Sequence, residues 1–192
     1  MLEERTVDFE ADACVVFSGA GLGGIVATLA GGREVLITDY PAPVVLANLR
    51  RNVAKALPAN LASTWCIAGH EWGVFDEVAQ DRRYSFTRIL AADCFWMPSE
   101  HENLVRSMLH FLTLDPHGRI FAIAGFHTGR AKLAMFFDCA VDKGLEIEEI
   151  YEEDDDGVRR EWANERDGGR EDHTARKRWL VVARLKRRLP SS

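Results

Sequence analysis

The chain has 192 residues, of which 47% are hydrophobic and 28% charged, and its formal net charge is −6. These values are typical of an ordinary globular protein, and the length predicts a single domain over residues 1–192 with a sizeable core. The acidic balance argues against a general nucleic-acid binder, which would carry a basic surplus. The longest apolar runs are strand-sized, far short of the roughly 20 residues that a membrane span requires.

The first residues and the cysteines indicate a reducing compartment. The opening "MLEERTVDFEADA" contains acids and no apolar stretch, so no signal peptide is expected. The four cysteines are scattered through apolar segments without a CxxC spacing, which favours buried free thiols over zinc ligands or disulfides. The histidines show no metal-ligand spacing either. We therefore expect a cytoplasmic, or else nuclear, protein without a metal site.

Apolar runs alternate with segments of helical periodicity along most of the chain. In the segment 99–112, Ser99 and Glu102 are spaced as a capping box at the start of a helix. The pattern predicts five strands that alternate with helices and hence a mainly parallel sheet. The predicted strands are 14–18, 34–39, a part of 61–69, 86–93 and 118–126, and the predicted helices are 22–31, 40–57, 99–112 and 128–144.

The end of the chain has a different pattern. Residues 145–153 and 178–186 read as two strands with no apolar helix between them, which predicts an antiparallel hairpin at the edge of the sheet. The charged, glycine-containing segment 154–176 is expected to be a mobile, solvated loop. At the other end, residues 1–13 form only a short extension before the first strand.

The segment "GAGLGG", residues 19–24, satisfies the G-x-G-x-x-G spacing, and Asp39 follows Gly19 by twenty positions at the end of the second predicted strand. Glycines permit a tight turn and a close approach of a ligand to the backbone, and an acid at that strand end accepts hydrogen bonds from ribose hydroxyls. The pattern therefore fits an adenosine ligand. A nicotinamide dinucleotide, S-adenosylmethionine and a purely structural glycine turn all remain open at this point.

The rest of the chain separates these alternatives. A terminal hairpin after five strand-helix units is typical of class I methyltransferases. A dinucleotide-dependent reductase would normally add further parallel strands or a substrate domain, and the sequence contains no Tyr-x-x-x-Lys pair. The pattern thus favours S-adenosylmethionine as the ligand.

Several segments together resemble the small class I methyltransferases that include protein-lysine methyltransferases and the fungal nicotinamide N-methyltransferase-like proteins. They are "GAGLGGIVATLAG", "VLITDYPAPVVLANLRRNV", "GHEWG", "ILAADCFWMPSEHENLVRSMLHFL" and "GFHTGRAKLAMFFDCAVDKGLEIEEI". The resemblance runs from about residue 19 to residue 150. It implies a Rossmann-like α/β fold and S-adenosylmethionine as the cofactor.

The resemblance also assigns roles to individual residues. Asp39 would bind the ribose, with Tyr40 beside the adenine, and Trp72 would be an aromatic residue near the cofactor. Asp93, after the fourth strand, would lie in the open cleft and help to position the substrate as a catalytic residue. The cofactor-binding set that the resemblance implies is Gly19, Ala20, Gly21, Asp39, Tyr40, Trp72 and Ala92.

Structural roles remain open for several of these residues. Trp72, Phe95 and Trp96 also fit aromatic positions in the core or at its rim, and Asp93 also fits a cap of the segment that follows it. His127, in "GFHTGR", lies just after the fifth strand near the cleft mouth. It fits a contact with substrate as well as a hydrogen-bonded loop histidine.

Two departures from the family pattern bear on activity. The family carries an acidic residue two positions before the first glycine, and this chain has Phe17 there. Relatives also carry a longer, tryptophan-containing N-terminal segment that covers the cofactor. A longer native gene product and a partner chain that covers the cleft are two expectations. The third is a methyltransferase fold that has lost catalysis and acts as a binding module.

The function expected from the resemblance is N-methylation with S-adenosylmethionine as the donor. A protein lysine or an N-terminal amine is the first expected substrate, because the acidic chain suits a basic polypeptide. A small amine such as nicotinamide is the second. Nucleic-acid and membrane partners are not expected.

Overall fold

The computed structural model describes residues 12–17, 20–62 and 64–188, which form one eight-stranded sheet with helices on its two faces. None of the helices among these described residues is long and apolar enough to cross a bilayer. The strands are β1 (Ala13–Phe17), β2 (Glu34–Asp39), β3 (Trp65–Gly69), β4 (Arg88–Ala92), β5 (Arg119–Gly125), β6 (Leu145–Asp154), β7 (Arg159–Glu161) and β8 (Trp179–Arg187). The helices are α1 (Leu22–Leu29), α2 (Pro43–Ala56), α3 (Glu77–Asp81), α4 (His101–Phe111), α5 (Arg130–Asp142) and α6 (His173–Arg176).

The strand order across the sheet is β3-β2-β1-β4-β5-β8-β6-β7. The first five strands pair in parallel, whereas β8 runs antiparallel to both β5 and β6. The strand order reverses between β1 and β4, and in open α/β sheets ligands bind at the carboxyl ends of the strands at such a point. The predicted Rossmann-like fold, mainly parallel with an antiparallel C-terminal part, is confirmed.

The parallel strands form where the sequence has continuous apolar runs, and the central strand β1 is covered on both faces. All five residues of β1 are buried. On one face, Val15 packs in the larger core cluster with Met108 of α4 and Phe136 of α5. On the other face, Val16 packs in a smaller cluster with Leu49 of α2.

The predicted capping box of Ser99 and Glu102 is wrong. Residues Pro98–Glu100 form a 3-10 turn that leads into α4, and the N-cap residue Glu100 makes no side-chain capping hydrogen bond. Pro98 favours helical backbone at the first position of a turn, so Ser99 lies inside the turn and not at its start. Glu102 pairs instead with Lys143 at 2.7 Å.

The segment 154–176, expected to be a loop, contains β7, which pairs with β6, and the single-turn helix α6. The C-terminal part of the sheet is therefore a group of three antiparallel strands in which β8 lies between β5 and β6. The sequence pattern did not indicate β7, because its three residues, Arg159, Arg160 and Glu161, are all charged.

A buried ionic cluster fixes this segment to the start of α5. Arg130 contacts Glu152 at 2.5 Å and Glu171 at 2.7 Å, and the Glu152 side chain has no exposed surface. Arg160 and Arg166 also reach Glu152, at 2.7 and 3.2 Å. Burial alone would raise the pKa of Glu152, but the hydrogen bonds from the three arginines outweigh it and lower that pKa.

Aromatic rings enclose the same cluster. The Arg130 guanidinium lies 4.3 Å from the centre of the Phe126 ring, which stacks on Trp162 at 6.1 Å. Arg160 lies 3.7 Å from the centre of the Trp179 ring in β8. The cluster thus joins α5, β6, β7 and the segment before α6 to the loop that follows β5.

Glu152→Gln should lower the free energy of unfolding by about 3 kcal/mol or more, because it leaves buried Arg130 with one carboxylate partner in place of two. Urea unfolding at neutral pH, followed by circular dichroism, measures the change. The matched control is Arg178→Gln, which removes a contact of 2.7 Å to Asp155 between two exposed side chains and should have a much smaller effect. Equal losses in the two variants would contradict the central role of Glu152.

Candidate active site

The candidate site lies along the edge where the parallel strands end. The segments that follow β1, β2, β4 and β5 meet there because parallel strands place their carboxyl ends on one side of the sheet. The structure brings together Ala20 and Gly21, Asp39 and Tyr40, and Ala92 and Asp93, which are sequence-predicted site residues. Gly19 lies outside the described residues.

The glycine turn after β1 is held against helix α2. Gly21 has a φ of +83°, and a Cβ atom at this position would lie 2.6 Å from Leu49 Cδ1. The backbone carbonyl of Ala20 accepts a hydrogen bond from Asn52 Nδ2 at 3.4 Å. The turn therefore requires glycine both for its left-handed backbone and for its close approach to α2.

Asp39 ends β2 with its carboxylate at the sheet edge. Its Oδ1 accepts a hydrogen bond from the Tyr40 backbone N–H at 2.7 Å, and its backbone carbonyl accepts one from the His70 N–H at 2.8 Å. Within the described parts of the chain, Asp39 Oδ2 has no hydrogen-bond partner. The Tyr40 ring beside it is 58% exposed. One carboxylate oxygen and one aromatic face are thus free to meet a ligand.

Trp72 is half-buried and packs against the larger core cluster. It follows β3 by three residues, on the segment that begins with His70, so it belongs to the same edge of the sheet as Asp39. The structure places Trp72 at the rim of the core, where the sequence left both a structural and a ligand-binding role open.

Asp93 follows β4 with a φ of +55°, in the left-handed backbone region that residues other than glycine rarely adopt. Its backbone N–H donates to the Ile123 carbonyl at 2.8 Å, which fixes this turn to β5. Its carboxylate is 60% exposed. The strained backbone directs the carboxylate out of the sheet edge, and such strain is common at functional positions.

The two aromatic residues that follow have different roles. Phe95 is buried and stacks on Phe136 at 4.0 Å, and its carbonyl contacts His101 Nε2 at 3.0 Å. Trp96 is 52% exposed. Phe95 is therefore a core residue that anchors the loop, and Trp96 remains available at its surface.

A cavity of about 210 Å³ opens between the ends of β4 and β5. The sequence drew attention to Asp93, Trp96 and His127, but it gave no reason to single out the other lining residues. The signal for Gly125 and Thr128 lies only in their position at the end of a parallel strand, in "GFHTGR", whereas Leu133 lies in α5. The lining residues are Asp93, Trp96, Gly125, His127, Thr128 and Leu133.

Phe17 occupies the position where the resemblance implies an acid. Its ring is buried in the larger core cluster, 6.2 Å from the Phe111 ring and 6.1 Å from the His70 ring. The side chain thus points toward the α4 face of the sheet, opposite to the face that α1 and α2 cover. The residue supports the core beneath the site and contributes no charge to it.

The buried cysteines offer no nucleophile at the site. Burial raises the pKa of Cys14 to about 12, and burial together with the nearby Asp93 and Asp39 carboxylates raises the pKa of Cys94 still further. A thiol attacks as its thiolate, so both side chains are unreactive near neutral pH. The groups of this site suit binding, positioning and proton transfer.

The buried side chain of His70 connects the segment after β3 to α4 next to the site. Its Nε2 lies 2.8 Å from Ser107 Oγ, which also accepts a hydrogen bond from the Gly73 backbone N–H. Burial lowers the pKa of His70 to about 4, although the nearby Asp76 carboxylate opposes the shift. A neutral imidazole thereby ties the segment after β3 to α4, close to the backbone of Asp39.

Similarity to known proteins extends over most of the chain. The model of a family described as lysine methyltransferase matches residues 12–140. Protein N-terminal and lysine N-methyltransferase efm7 of Schizosaccharomyces pombe is 32% identical over 145 residues, which are 71% of this chain and 55% of that protein. The chain thus spans about half the length of the curated relatives that it matches.

Solved structures support the fold. An S-adenosylmethionine-dependent methyltransferase from Mesorhizobium loti superposes with a TM-score of 0.64 at 12% identity, over 95% of this chain and 94% of that chain. A chain from the complex of the Haloferax volcanii Trm112 methyltransferase activator with a methyltransferase superposes with a TM-score of 0.65 at 16% identity, over 98% and 87% of the two chains. At these identities the likeness concerns the fold alone.

The lowered pKa of His70 predicts a loss of stability in mild acid. Its pKa is about 6.5 in the unfolded chain and about 4 in the folded one, so between these values the unfolded state binds a proton that the native state does not. The stability that the neutral His70 side chain contributes to the folded state is fully present above pH 6.5 and is lost as the pH falls toward 4. Relative to His70→Gln, the wild type should lose about 3 kcal/mol more between pH 7 and pH 4. Urea unfolding at both pH values tests this, and parallel losses would show that His70 does not titrate as described.

Proposed function

The chain belongs to the lysine methyltransferase family, and on this basis we propose that it transfers a methyl group from S-adenosylmethionine to an amine nitrogen of a protein. One observation carries the proposal. The fold brings the glycine turn after β1, the carboxylate of Asp39 and the carboxylate of Asp93 to the same edge of the sheet, at the point where the strand order reverses.

The residues at this edge fit S-adenosylmethionine. The free Oδ2 of Asp39 suits a ribose hydroxyl, and the exposed ring of Tyr40 suits an adenine face. Ala20 and Gly21 present a tight turn that a ligand can approach closely, and we assign the methionine end of the cofactor to it together with Gly19. Trp72 and Ala92 complete the proposed binding set.

Phe17 weakens this binding set. An acid at this position would make a charge-assisted hydrogen bond, and its loss costs roughly 1.5–3 kcal/mol, or about tenfold to hundredfold in affinity. Because the Phe17 ring lies in the core, the pocket is not filled by it. We therefore expect a functional cofactor site of reduced affinity.

The chemistry supplied by the bound cofactor is an electrophilic methyl group on a sulfonium centre. The chain's own residues have to hold the amine in line with this methyl group and exclude water from the reaction. Asp93 is placed for the first task, since its exposed carboxylate lies at the cavity between β4 and β5 and can accept a hydrogen bond from the substrate nitrogen. Trp96 and Leu133 supply apolar walls around it.

A protein amine, either a lysine or an N-terminal amine, is the proposed substrate. The names of the curated relatives support it, and so does the net charge of −6, which attracts a basic polypeptide. The side chains at the cavity mouth are reachable from solvent, as a large substrate requires: Trp96 is 52% exposed, and His127 66%. A small amine is the alternative substrate.

A catalytically inactive binding module is the second candidate function, and Phe17 is the observation that favours it. We further propose a cytoplasmic, or else nuclear, location for either function, and a partner chain that covers the cleft. The solved Haloferax volcanii structure, in which a methyltransferase of this fold is in complex with the Trm112 activator, supports the proposal of a partner.

The cofactor site is tested by isothermal titration with S-adenosylmethionine. Asp39→Asn should weaken binding by about tenfold to hundredfold, because the amide is a poorer acceptor for the ribose hydroxyls. Asp138→Asn, an equivalent change at an exposed position of α5, should leave the dissociation constant unchanged. If the wild type produces no heat at high micromolar cofactor, the binding-module function gains support and the methyltransferase function loses it.

The substrate class is tested with tritiated S-adenosylmethionine and a cell lysate. Label should appear in protein, and Asp93→Asn should reduce its rate of incorporation by at least tenfold while cofactor affinity stays the same. Label that remains in the small-molecule fraction would exclude a protein substrate and favour the small amine.

A further inference from the structure

The ring of His127 packs over Gly125. A Cβ atom at Gly125 would lie 2.5 Å from His127 Nε2 and about 3 Å from the neighbouring ring carbons. Gly125 is the last residue of β5 and pairs with Leu180 of β8 in a regular ladder. Its backbone does not have a positive φ, and the missing side chain at Gly125 leaves room for the imidazole in this position.

This packing turns His127 toward Asp93. The Nε2 atom of His127 lies 4.0 Å from Asp93 Oδ2, with the two side chains 66% and 60% exposed. In the described part of the chain this is the one polar contact that the imidazole makes. Both residues line the cavity between β4 and β5, so a carboxylate and an imidazole face each other at its wall.

The other histidines of this part of the molecule have different surroundings. His70 and His101 are buried, and the Nε2 atom of each lies within 3.0 Å of a polar partner, which is Ser107 Oγ for His70 and the Phe95 carbonyl for His101. His110 likewise contacts the Ala79 carbonyl at 2.8 Å. These three side chains join segments of the fold. Within the described residues His127 makes no such contact, and its polar neighbour is the Asp93 carboxylate.

We propose that His127 is the general base that removes a proton from the ammonium group of the substrate before methyl transfer. This inference rests on the proposed methyltransferase function. The Nε2 lone pair takes the proton as the substrate N–H bond breaks, and the freed nitrogen lone pair forms a bond to the methyl carbon. The bond between that carbon and sulfur breaks, and its electron pair remains on sulfur.

The surroundings of His127 suit this role. Imidazole is the side chain best matched to proton transfer near neutral pH, whereas carboxylates hold a proton weakly there. Asp93 therefore serves to position the amine and to stabilise the imidazolium that forms. The nearest basic residue along the chain, Arg130, is paired with Glu152 and Glu171, so its charge is balanced. The exposed ring can pass the proton to water.

The first test compares His127→Ala with His117→Ala. His117 is an exposed histidine at the opposite end of β5, and its side chain takes no part in the site. With a methyl-accepting peptide, His127→Ala should lower kcat by about a hundredfold or more, while the dissociation constant of S-adenosylmethionine stays the same. Added imidazole should restore part of the lost rate in His127→Ala and have no effect on His117→Ala. A full rate without His127, or a loss that imidazole does not relieve, overturns the proposal.

The second test does not depend on activity. Nitrogen chemical shifts of the His127 ring at one neutral pH should change in Asp93→Asn and stay the same in Asp138→Asn, because only Asp93 lies beside the imidazole. Unchanged His127 ring shifts in Asp93→Asn overturn the pairing. If the wild type binds no S-adenosylmethionine, the proposed methyltransferase function is wrong. The assignment of His127 as a general base is then wrong as well, even if the side chains of His127 and Asp93 contact each other.

Discussion

The parallel pairing of β1 with β2 on one side and with β4 on the other is the constraint on which the rest of the structure depends. Val16 is in register with both Ile37 and Leu90, so the three strands end together. Thr38 Oγ1 strengthens this alignment by donating to the Val16 carbonyl at 2.9 Å. The connections from β1 and β2 cross one face of the sheet and the connection from β4 crosses the other, so a crevice opens where they separate.

The last residue of β1 shows how the core and the site share one strand. The Phe17 ring adds to the aromatic core beside Phe111, and the Phe17 carbonyl accepts a hydrogen bond from Cys94 Sγ at 3.1 Å. This hydrogen bond holds the turn after β4 against the end of β1, although Phe17 brings no charge to the site. A charged residue in place of Phe17 would gain a ligand contact and would have to be accommodated beside a neutral, buried His70.

The sequence predicted the parallel strands and Asp39 because both depend on short-range patterns: apolar runs, and a fixed spacing between a glycine turn and the next strand end. It did not predict the cluster of Arg130 with Glu152 and Glu171, whose members are 22 and 41 positions apart in charged segments that resemble a solvated surface. It also did not show that the ring of His127 folds over Gly125, because a glycine that leaves space for a neighbour looks the same as one that permits a turn. The predicted capping box at Ser99 was wrong because the 3-10 turn that leads into α4 begins one residue earlier, at Pro98.

The position of β8 has a consequence for the order in which the protein assembles during synthesis. β8 comes later in the chain than both of its neighbours, β5 and β6, and it lies between them with antiparallel pairs on each side. The parallel half can form on the ribosome as its strands emerge, but β6 cannot join the sheet until residues 179–187 have been translated. Until then β5 has one unpaired edge, and such an edge is a template for pairing with other chains.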